Sequence, residues 1–346
     1  NLNGLGLRGA LLAALALSGG IEAAQLLVPG RFPDLSDVVT NGGGGALGVI
    51  LGRRPERWIL PSSPWRPRLF AGMLVLATGL PFATGVLLGP VVPTGRLWGQ
   101  WAPRIPHLES WQGRIGSVEL AGSPLPRAAS LTAEQRLSLR EGGRLRVVGE
   151  VGTPPTRLAP VLRIVDGMGT EARLLAFRGP DLVWLVRNRA HRLRLDSPEV
   201  RWEGVLAGVA PGAALDVGVE QDRSGICLRV GGDLACGLEH HAGRAWSILL
   251  SARWLPVRTH DRLDYLWIGG ILFLVGFWTP PTAGVAWAGL LLPLGALGLS
   301  GAMPSLQAPP PTLLVAGALS WFLGWRAGAS PRLAIWPGAG LRDGRA

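Results

Sequence analysis

The sequence has 346 residues, of which 48% are hydrophobic and only 16% are charged. Soluble domains usually contain about 25% charged residues, so the composition indicates a membrane protein or a fusion that contains membrane segments. The 34 basic residues are all arginine and outnumber 23 acidic residues, which gives a net charge of +11. These arginines are scattered and form no basic stripe or nucleic-acid motif, so we expect no nucleic-acid partner.

Apolar runs predict five or six membrane segments. Residues 69–92 contain no charged side chain and are long enough to cross about 30 Å of hydrocarbon. The uncharged stretch 265–325 is interrupted by Pro280, Pro281 and the prolines at 309–311, which predicts three short spans. The predicted segments are 11–28, 38–51, 69–92, 263–278, 283–300 and 312–325. The second of these is short and glycine-rich, so it either crosses the bilayer or is re-entrant.

Arginine placement predicts which side each connection faces. Residues 53–68 carry five arginines and one glutamate, and the tail after residue 325 carries four arginines and one aspartate, so both should be cytoplasmic. Residues 29–37 carry one arginine and two aspartates and should face outward. Alternation of the spans gives four parts. They are a transmembrane segment at 1–92, an extracytoplasmic domain at 93–262, three helices at 263–327 and a cytoplasmic tail at 328–346.

The insert between the spans is predicted to be all-β. Residues 161–177 contain two strand-like runs around a glycine-containing turn, and residues 181–196 and 214–236 show the same pattern. Alternation of apolar and polar residues, as in LRLD at 193–196, is typical of half-buried strands. Short strands at this spacing predict a β-sandwich.

The two cysteines of the chain, Cys227 and Cys236, are predicted to face each other across a hairpin. A two-residue turn at Gly231 and Gly232 sets the register, and counting outward pairs the cysteines. Cα atoms in a non-hydrogen-bonded pair lie about 4.5 Å apart, at the short end of disulfide spacing. We predict a cross-strand disulfide, which needs an oxidising compartment and agrees with the outside placement. Two buried free thiols are the alternative.

A series of polar residues lies in and beside the first two apolar segments. It consists of Glu22, Gln25, Arg31, Asp34, Asp37 and Asn41. Helical spacing and the prolines of the connection gather these groups near the outer membrane boundary. A charge within a span usually faces the bundle interior in a pair, and the glycines that follow let another helix approach closely. Two interpretations stay open, a polar staple between two helices and a pocket for a lipid-linked or envelope substrate.

This polar series resembles the signature of VanZ-like membrane proteins, approximately E-x-x-Q, R, D-x-x-D, N and G-x-x-x-G. The resemblance covers about residues 8–52 and includes Gly45 and Gly48. It implies a multi-pass bacterial membrane protein of the cell envelope, and the name-giving member of the family is associated with resistance to the glycopeptide teicoplanin. The chain begins at Asn1 without the helices that normally precede the signature, so we expect the protein to extend further N-terminally.

The insert is similar to concanavalin A-like or laminin G-like jelly rolls over residues 174–196 and 214–233. This resemblance implies a module that binds carbohydrate or protein, and it assigns no ligand residue. A jelly-roll glycosidase of the retaining type would need two carboxyl groups about 5 Å apart, which Glu220 and Asp222 could nearly supply. A solvated hairpin end with alternating charges is the favoured alternative.

No motif for cofactor chemistry stands out. His240 and His241 are adjacent, and neighbouring residues on a strand point to opposite faces, so we expect loop histidines and no metal. The sequence has no P-loop, dinucleotide fingerprint or Ser-His-Asp arrangement, so we expect no cofactor.

These observations together predict a membrane α-helical bundle with an inserted extracytoplasmic all-β sandwich. We expect it to contact membrane lipids and to bind a glycan, peptidoglycan or an envelope protein through the outer domain. The alternative is an enzyme that acts on a cell-wall or lipid-linked substrate through the polar series.

Overall fold

The computed structural model describes residues 7–25, 35–52, 64–193, 195–222, 225–250 and 255–330. A β region lies between two groups of helices along the chain. The helices are α1 (Leu7–Gln25), α2 (Leu35–Gly52), α3 (Arg66–Leu88), α4 (Ala133–Glu141), α5 (Trp246–Leu249), α6 (Val257–Trp278), α7 (Ala283–Leu299) and α8 (Pro311–Ala329). Short 3-10 helices cover Arg189–Leu193, Ala242–Ala245 and Ser300–Ala302.

The β region is a sandwich of two antiparallel sheets. Its strands are β1 (Leu97–Trp101), β2 (Arg114–Leu120), β3 (Ser123–Pro124), β4 (Ala129–Ser130), β5 (Arg144–Glu150), β6 (Leu158–Asp166), β7 (Glu171–Arg178), β8 (Asp181–Val186), β9 (Val200–Trp202), β10 (Ala214–Asp222), β11 (Gly225–Val230) and β12 (Asp233–Cys236). The first sheet has the order β4-β1-β6-β7-β8-β9, and the second has the order β12-β11-β10-β5-β2-β3.

The core of the sandwich lies between the two sheets. Leu175 and Phe177 of β7 and Val217 of β10 are fully buried in one apolar cluster. The ring of Trp111 stacks on Phe177 with 5.0 Å between centroids. The alternation that predicts half-buried strands therefore places one face of each sheet in this core and leaves the opposite face for other contacts.

Most of the strands predicted from the sequence are confirmed. The run 161–177 contains the β6–β7 hairpin, and the run 214–236 contains β10, β11 and β12. The second strand predicted within 181–196 is wrong, because a 3-10 helix occupies Arg189–Leu193. Asn188 initiates that helix by accepting a hydrogen bond from the backbone N–H of His191 at 3.3 Å. A local helix that begins beside Asn188 therefore stands where the second strand was predicted.

The disulfide and its register are confirmed. Gly231 has φ +56° in the turn, Cys227 is directly opposite Cys236, and their Cα atoms are 4.0 Å apart. The two sulfur atoms are bonded. The cross-strand disulfide therefore closes the edge hairpin of the second sheet.

Two helices in the described part of the chain are long and apolar enough to cross a bilayer, α3 (Arg66–Leu88) and the stretch Ala283–Ala302 that contains α7. The described residues therefore support two candidate spans and do not support the predicted five to six. Helix α6 is not among these two helices, since its first turns are polar, and the hairpin helix α1 has only a short apolar stretch at Leu11–Ala24.

The C-terminal helices pack closely through glycine. Helix α6 packs most extensively against α8. A Cβ placed on Gly276 of α6 would lie 2.0 Å from the carbonyl oxygen of Trp321, and one on Gly324 of α8 would lie 2.1 Å from that of Phe273. Gly328, four residues later, makes the same approach to Phe277. Such G-x-x-x-G contacts between backbones are typical of helix pairs in membranes.

The sandwich sits directly on the ends of the helices. Ser305, in the connection between α7 and α8, donates a hydrogen bond to the carbonyl of Gly85 near the end of α3 at 2.6 Å. Pro90, just beyond α3, forms an antiparallel bridge with Asn188 of the sandwich. The bridge between Pro90 and Asn188 therefore connects the β region to the end of α3.

Candidate functional site

The first two helices form a hairpin in which selected glycines face the partner helix. A Cβ on Gly42 would lie 2.4 Å from Leu15 Cδ2, and one on Gly45 would lie 2.5 Å from Ala14 Cβ. Gly43 and Gly44 would meet no atom within 4 Å. Glycine is therefore required for close packing at two positions of the run, as the prediction of helix approach expects.

The same interface contains the polar groups of the hairpin that the structure describes. Asn41 Nδ2 donates a hydrogen bond to Ser18 Oγ at 2.9 Å and so joins α2 to α1. Ser18 is 3% exposed, and Glu22, one turn further along α1, is 7% exposed. Glu22 is also engaged in an interaction of its own. Ser18 and Glu22 are therefore buried in the structure, and the exposed Asn41 reaches Ser18 from the other helix.

The remaining members of the polar series are only partly described. Gln25 is the last residue of α1, and Asp37 lies in the first turn of α2, but both side chains lie outside the described part. Arg31 and Asp34 lie outside the described residues altogether. Sequence reasoning missed Ser18, although its spacing of four residues from Glu22 places it on the same helix face.

A second polar cluster joins the sandwich to α6. Asp264 is 2% exposed and accepts hydrogen bonds from Arg244 Nη2 at 2.7 Å and from Trp246 Nε1 at 2.6 Å. His241 Nε2 lies 3.3 Å from the same carboxylate. Asp261 pairs with Arg244 at 2.7 Å on the exposed side. We call Arg244, Trp246, His241 and Asp264 the junction network.

The His241–Asp264 pair resembles part of a catalytic triad, but its hydrogen bonding is structural. His241 Nδ1 accepts a hydrogen bond from the backbone N–H of Gly243 at 3.1 Å, so the proton of a neutral ring is on Nε2. Nε2 faces Asp264. Both ring nitrogens are therefore occupied, and none remains to accept a proton from a substrate.

His240 lies beside the junction network between two small cavities of about 50 and 30 Å³. The residue is half-buried, but its Nε2 atom is excluded from solvent and lacks a hydrogen-bond partner among the described residues. Burial, reinforced by the positive charge of Arg244, lowers the pKa of His240 to about 3. A cavity of this size holds a water molecule, so the orphan nitrogen has room for a solvent partner.

The glycosidase interpretation finds no support at the hairpin end of β10. Glu220 forms ion pairs with Arg144 at 3.1 Å and Arg229 at 3.2 Å, one on each neighbouring strand. These two ion pairs place the carboxylate in a cross-strand ladder of opposite charges. The side chain of Asp222 lies outside the described part. The described geometry therefore fits the alternative of a solvated, charge-paired strand.

An open groove runs along the face of the first sheet that points away from the sandwich core. We call it the outer groove, and it consists of a depression of about 510 Å³ and a neighbouring one of about 280 Å³ that share Gln100 and Ala128. Its lining side chains include Trp98, Gln100, Trp101, Arg104, Arg127 and Arg163. Depressions of this size accommodate a small ligand or a few residues of a polymer.

Comparison with known proteins identifies one related segment. Residues 3–55 match the family model VanZ/LLP1, a range that contains the whole polar series. The match supports the VanZ-like interpretation of this segment and a VanZ-type envelope protein. It describes a small part of the chain and does not extend to the sandwich. No curated protein and no solved structure is significantly similar to the chain.

Proposed function

We propose that this chain is a multi-pass protein of the bacterial cell membrane whose concanavalin A-like sandwich lies outside the membrane and binds a glycan of the envelope. The VanZ/LLP1 match supports the envelope location. The observation that carries the proposal is the disulfide between Cys227 and Cys236, because such a bond is stable in an oxidising compartment and rare in the cytosol.

The surfaces of the apolar helices support immersion in lipid. Val75 of α3 is 72% exposed, and Leu291 of α7 is 58% exposed. Apolar patches of this kind on an aqueous surface favour association with another apolar phase. The glycine contacts between α6 and α8 also support this, because close packing through glycine is typical of membrane helices.

Two contacts agree with the grouping of helix ends that the predicted topology requires. Arg66, at the start of α3, donates hydrogen bonds to the carbonyls of Trp278 and Thr279 at the end of α6. The predicted topology has both of these ends on the cytoplasmic side. Ser305 and Gly85 are bonded at the opposite end of α3, and the predicted topology has both of them outside.

The outer groove supports a ligand-binding role for the sandwich. It is open and wide, and it lies on a rigid sheet face with aromatic and amide side chains at Trp98 and Gln100. The aromatic ring offers a flat apolar surface with a negative face to the polarised C–H groups of a sugar ring, and the amide supplies both a donor and an acceptor. A binding protein is therefore favoured over an enzyme.

The hairpin supports the staple more than the pocket. Asn41 and Ser18 already form a hydrogen bond with each other across the helix contact. The enzymatic alternative, with a cell-wall or lipid-linked substrate at the polar series, has no comparable observation in its favour. A role in resistance to glycopeptides rests on the family resemblance alone.

The full chain in nanodiscs of zwitterionic lipid, screened against an array of bacterial envelope glycans, tests this function. We expect at least one class of glycan on the array to bind specifically. The same glycan in solution should compete with this binding. Silence across the array would contradict the glycan proposal. Labelling of an introduced cysteine at Glu134 with an impermeant reagent on intact cells tests the outside location, and labelling only after lysis would contradict it.

A further inference from the structure

The outer groove carries positive charge that the protein itself does not neutralise. Arg104 and Arg127 are both exposed and both line the groove. Among the residues that the structure describes, neither has a hydrogen-bond or ion-pair partner. Arg187, in contrast, is paired with Asp166 at 3.5 Å. The two free guanidinium groups therefore form a local excess of positive charge at the rim.

A third arginine, Arg163, lies on the sheet beside these two, and its charge is paired within the protein. Arg163 lies opposite Gln100 in the β1–β6 register, and it is anchored by an ion pair with Glu171 at 3.3 Å and a hydrogen bond from Nη2 to the carbonyl of Gly169 at 3.0 Å. Anchoring holds the guanidinium in one orientation, which lowers the entropy lost when an anion binds.

The acidic residue at the end of the groove does not cancel this charge. Burial raises the pKa of Asp166, but hydrogen bonds from the backbone N–H groups of Thr170 and Met168 outweigh it, so the pKa is lowered overall. Those bonds are 2.9 and 3.0 Å long. The carboxylate is therefore ionised, and Arg187, 3.5 Å away, offsets its charge, so that it does not cancel the charge of Arg104 and Arg127.

The backbone of the groove is held in an unfavourable conformation. Ala102 has φ +39° and Ala128 has φ +56°, in the left-handed region that residues with a Cβ rarely adopt. Both residues line the groove, Ala102 two residues before Arg104 and Ala128 directly after Arg127. Strain of this kind clusters at ligand-binding loops, where the surrounding structure imposes it.

The floor of the groove is aromatic. Trp98 is half-buried on the outer face of β1, and its ring lies against the turn at Gly167, where a Cβ would meet Cζ3 at 3.5 Å. The indole Nε1 of Trp101, another lining residue, donates to no described residue.

We propose that the outer groove binds an anionic glycan, with carboxylate or phosphate groups on Arg104, Arg127 and Arg163 and a sugar ring on Trp98. This inference rests on the proposed function and names the chemical class of its ligand. Guanidinium groups match the planar oxygen pairs of carboxylate and phosphate with two parallel hydrogen bonds. A glycan chain, in contrast to a free anion, also uses the aromatic floor and the length of two adjoining depressions.

The double variant R104Q/R127Q in the full chain tests the assignment. Matched to it is R114Q/R140Q, which removes the same charge from exposed arginines of β2 and α4 that lie away from the groove. The probes are an oligogalacturonate, a glycerol-phosphate polymer and a neutral dextran oligomer, presented to nanodiscs of zwitterionic lipid. The first two probes separate carboxylate from phosphate as the source of the anion.

We expect at least one anionic probe to bind, R104Q/R127Q to weaken that binding tenfold or more, and R114Q/R140Q to change it less than twofold. Binding should also fall as salt rises, because the contacts are exposed ion pairs. Equal binding of neutral dextran, or equal losses in both double variants, would overturn the inference while the glycan function stood. No binding to any glycan would overturn the proposed function as well. Binding only to vesicles of anionic lipid would overturn the glycan assignment in favour of a lipid headgroup.

Discussion

Asp264, in the second turn of α6, accepts hydrogen bonds from Arg244, which lies in the 3-10 helix that leaves the sandwich. The contact joins a β domain to a helix that packs against α3 and α8. Because Asp264 is almost fully buried, its charge depends on this partner. A movement of the sandwich would therefore be transmitted to α6 directly through these hydrogen bonds.

Replacement of Asp264 by Asn should be strongly destabilising. Removal of one partner from a buried ion pair leaves the other charge uncompensated and typically costs about 3–5 kcal/mol. Asp261→Asn is the matched control, because this residue pairs with the same arginine but its side chain is 58% exposed. Exposed pairs contribute about 0–1 kcal/mol. Thermal unfolding in detergent measures both variants, and equal losses would contradict a structural role for the junction network.

Replacement of Gly276 by Ala should disrupt the α6–α8 contact. The new Cβ would lie 2.0 Å from the carbonyl oxygen of Trp321, so the helices must separate, at a cost of about 1–3 kcal/mol or more. Gly270→Ala in the same helix is the control, since its Cβ would meet nothing within 4 Å. We expect that control to be neutral or slightly stabilising. The apparent melting temperatures of both variants in micelles test this prediction. Unchanged stability of Gly276→Ala would disprove the close contact.

Loss of the disulfide should destabilise the sandwich by about 2–3 kcal/mol, because the bond closes a short loop in the unfolded chain. The double variant C227S/C236S removes it without leaving a reactive thiol. In reductant, the free energy of unfolding by denaturant should be the same for this variant and for the natural sequence. Without reductant, the natural sequence should be more stable than the variant. If reductant had no effect on the natural sequence, the proposed contribution to stability would be wrong.

The local features of the fold could be predicted from the sequence, and the long-range ones could not. The pairing of Cys227 with Cys236 follows from counting outward from one turn, because strand register is set locally. The 3-10 helix at Arg189–Leu193 arises from a cap whose strength no alternation pattern reveals. In the outer groove, Arg104, Arg127 and Arg163 come from three separate segments. Their convergence depends on the order of strands in the sheet, which the sequence pattern leaves undetermined.

The candidate sites show the same division. Helical spacing predicts that Glu22 and Asn41 belong to one helix contact, and the Asn41–Ser18 hydrogen bond lies at that contact. The junction network could not be inferred, because Asp264 stands in a predicted apolar span and its partners precede it by about 20 residues in a segment without regular alternation. The role of a charged residue at the edge of an apolar run depends on the position of the neighbouring domain, which the sequence does not give.

Stability should fall in mild acid because of His240. The pKa of His240 is about 3 in the folded chain, below the value of about 6.5 in an unfolded chain, so the unfolded state binds the proton more tightly. The contribution is fully present above about pH 6.5 and is lost progressively as pH falls toward 3. Because the ring is half-buried, we expect a loss on the order of 1 kcal/mol at pH 5. His240→Gln should flatten the difference in unfolding between pH 7 and pH 5.

A control for this pH dependence is His107→Gln, which removes an exposed histidine. It should leave the difference between pH 7 and pH 5 unchanged. The groups that face His240 include Arg244, His241 and Asp264, so Asp264→Asn offers an independent check. Loss of this nearby negative charge should depress protonation of His240 further. A natural chain equally stable at both values of pH would refute the assignment.

The hairpin staple predicts energetic coupling between Ser18 and Asn41. Ser18→Ala and Asn41→Ala each remove one side of a 2.9 Å hydrogen bond, so their combined effect should be smaller than the sum of the single effects. Hydrogen bonds between membrane helices contribute about 0.6 kcal/mol on average and up to about 1.7 kcal/mol. A double-mutant cycle on unfolding in detergent measures this coupling. Gly44→Ala is a control for α2, because its Cβ would face open space. If the effects of the two substitutions were strictly additive, the hydrogen bond would have no energetic role. The pocket interpretation of Glu22 would then be favoured over the staple.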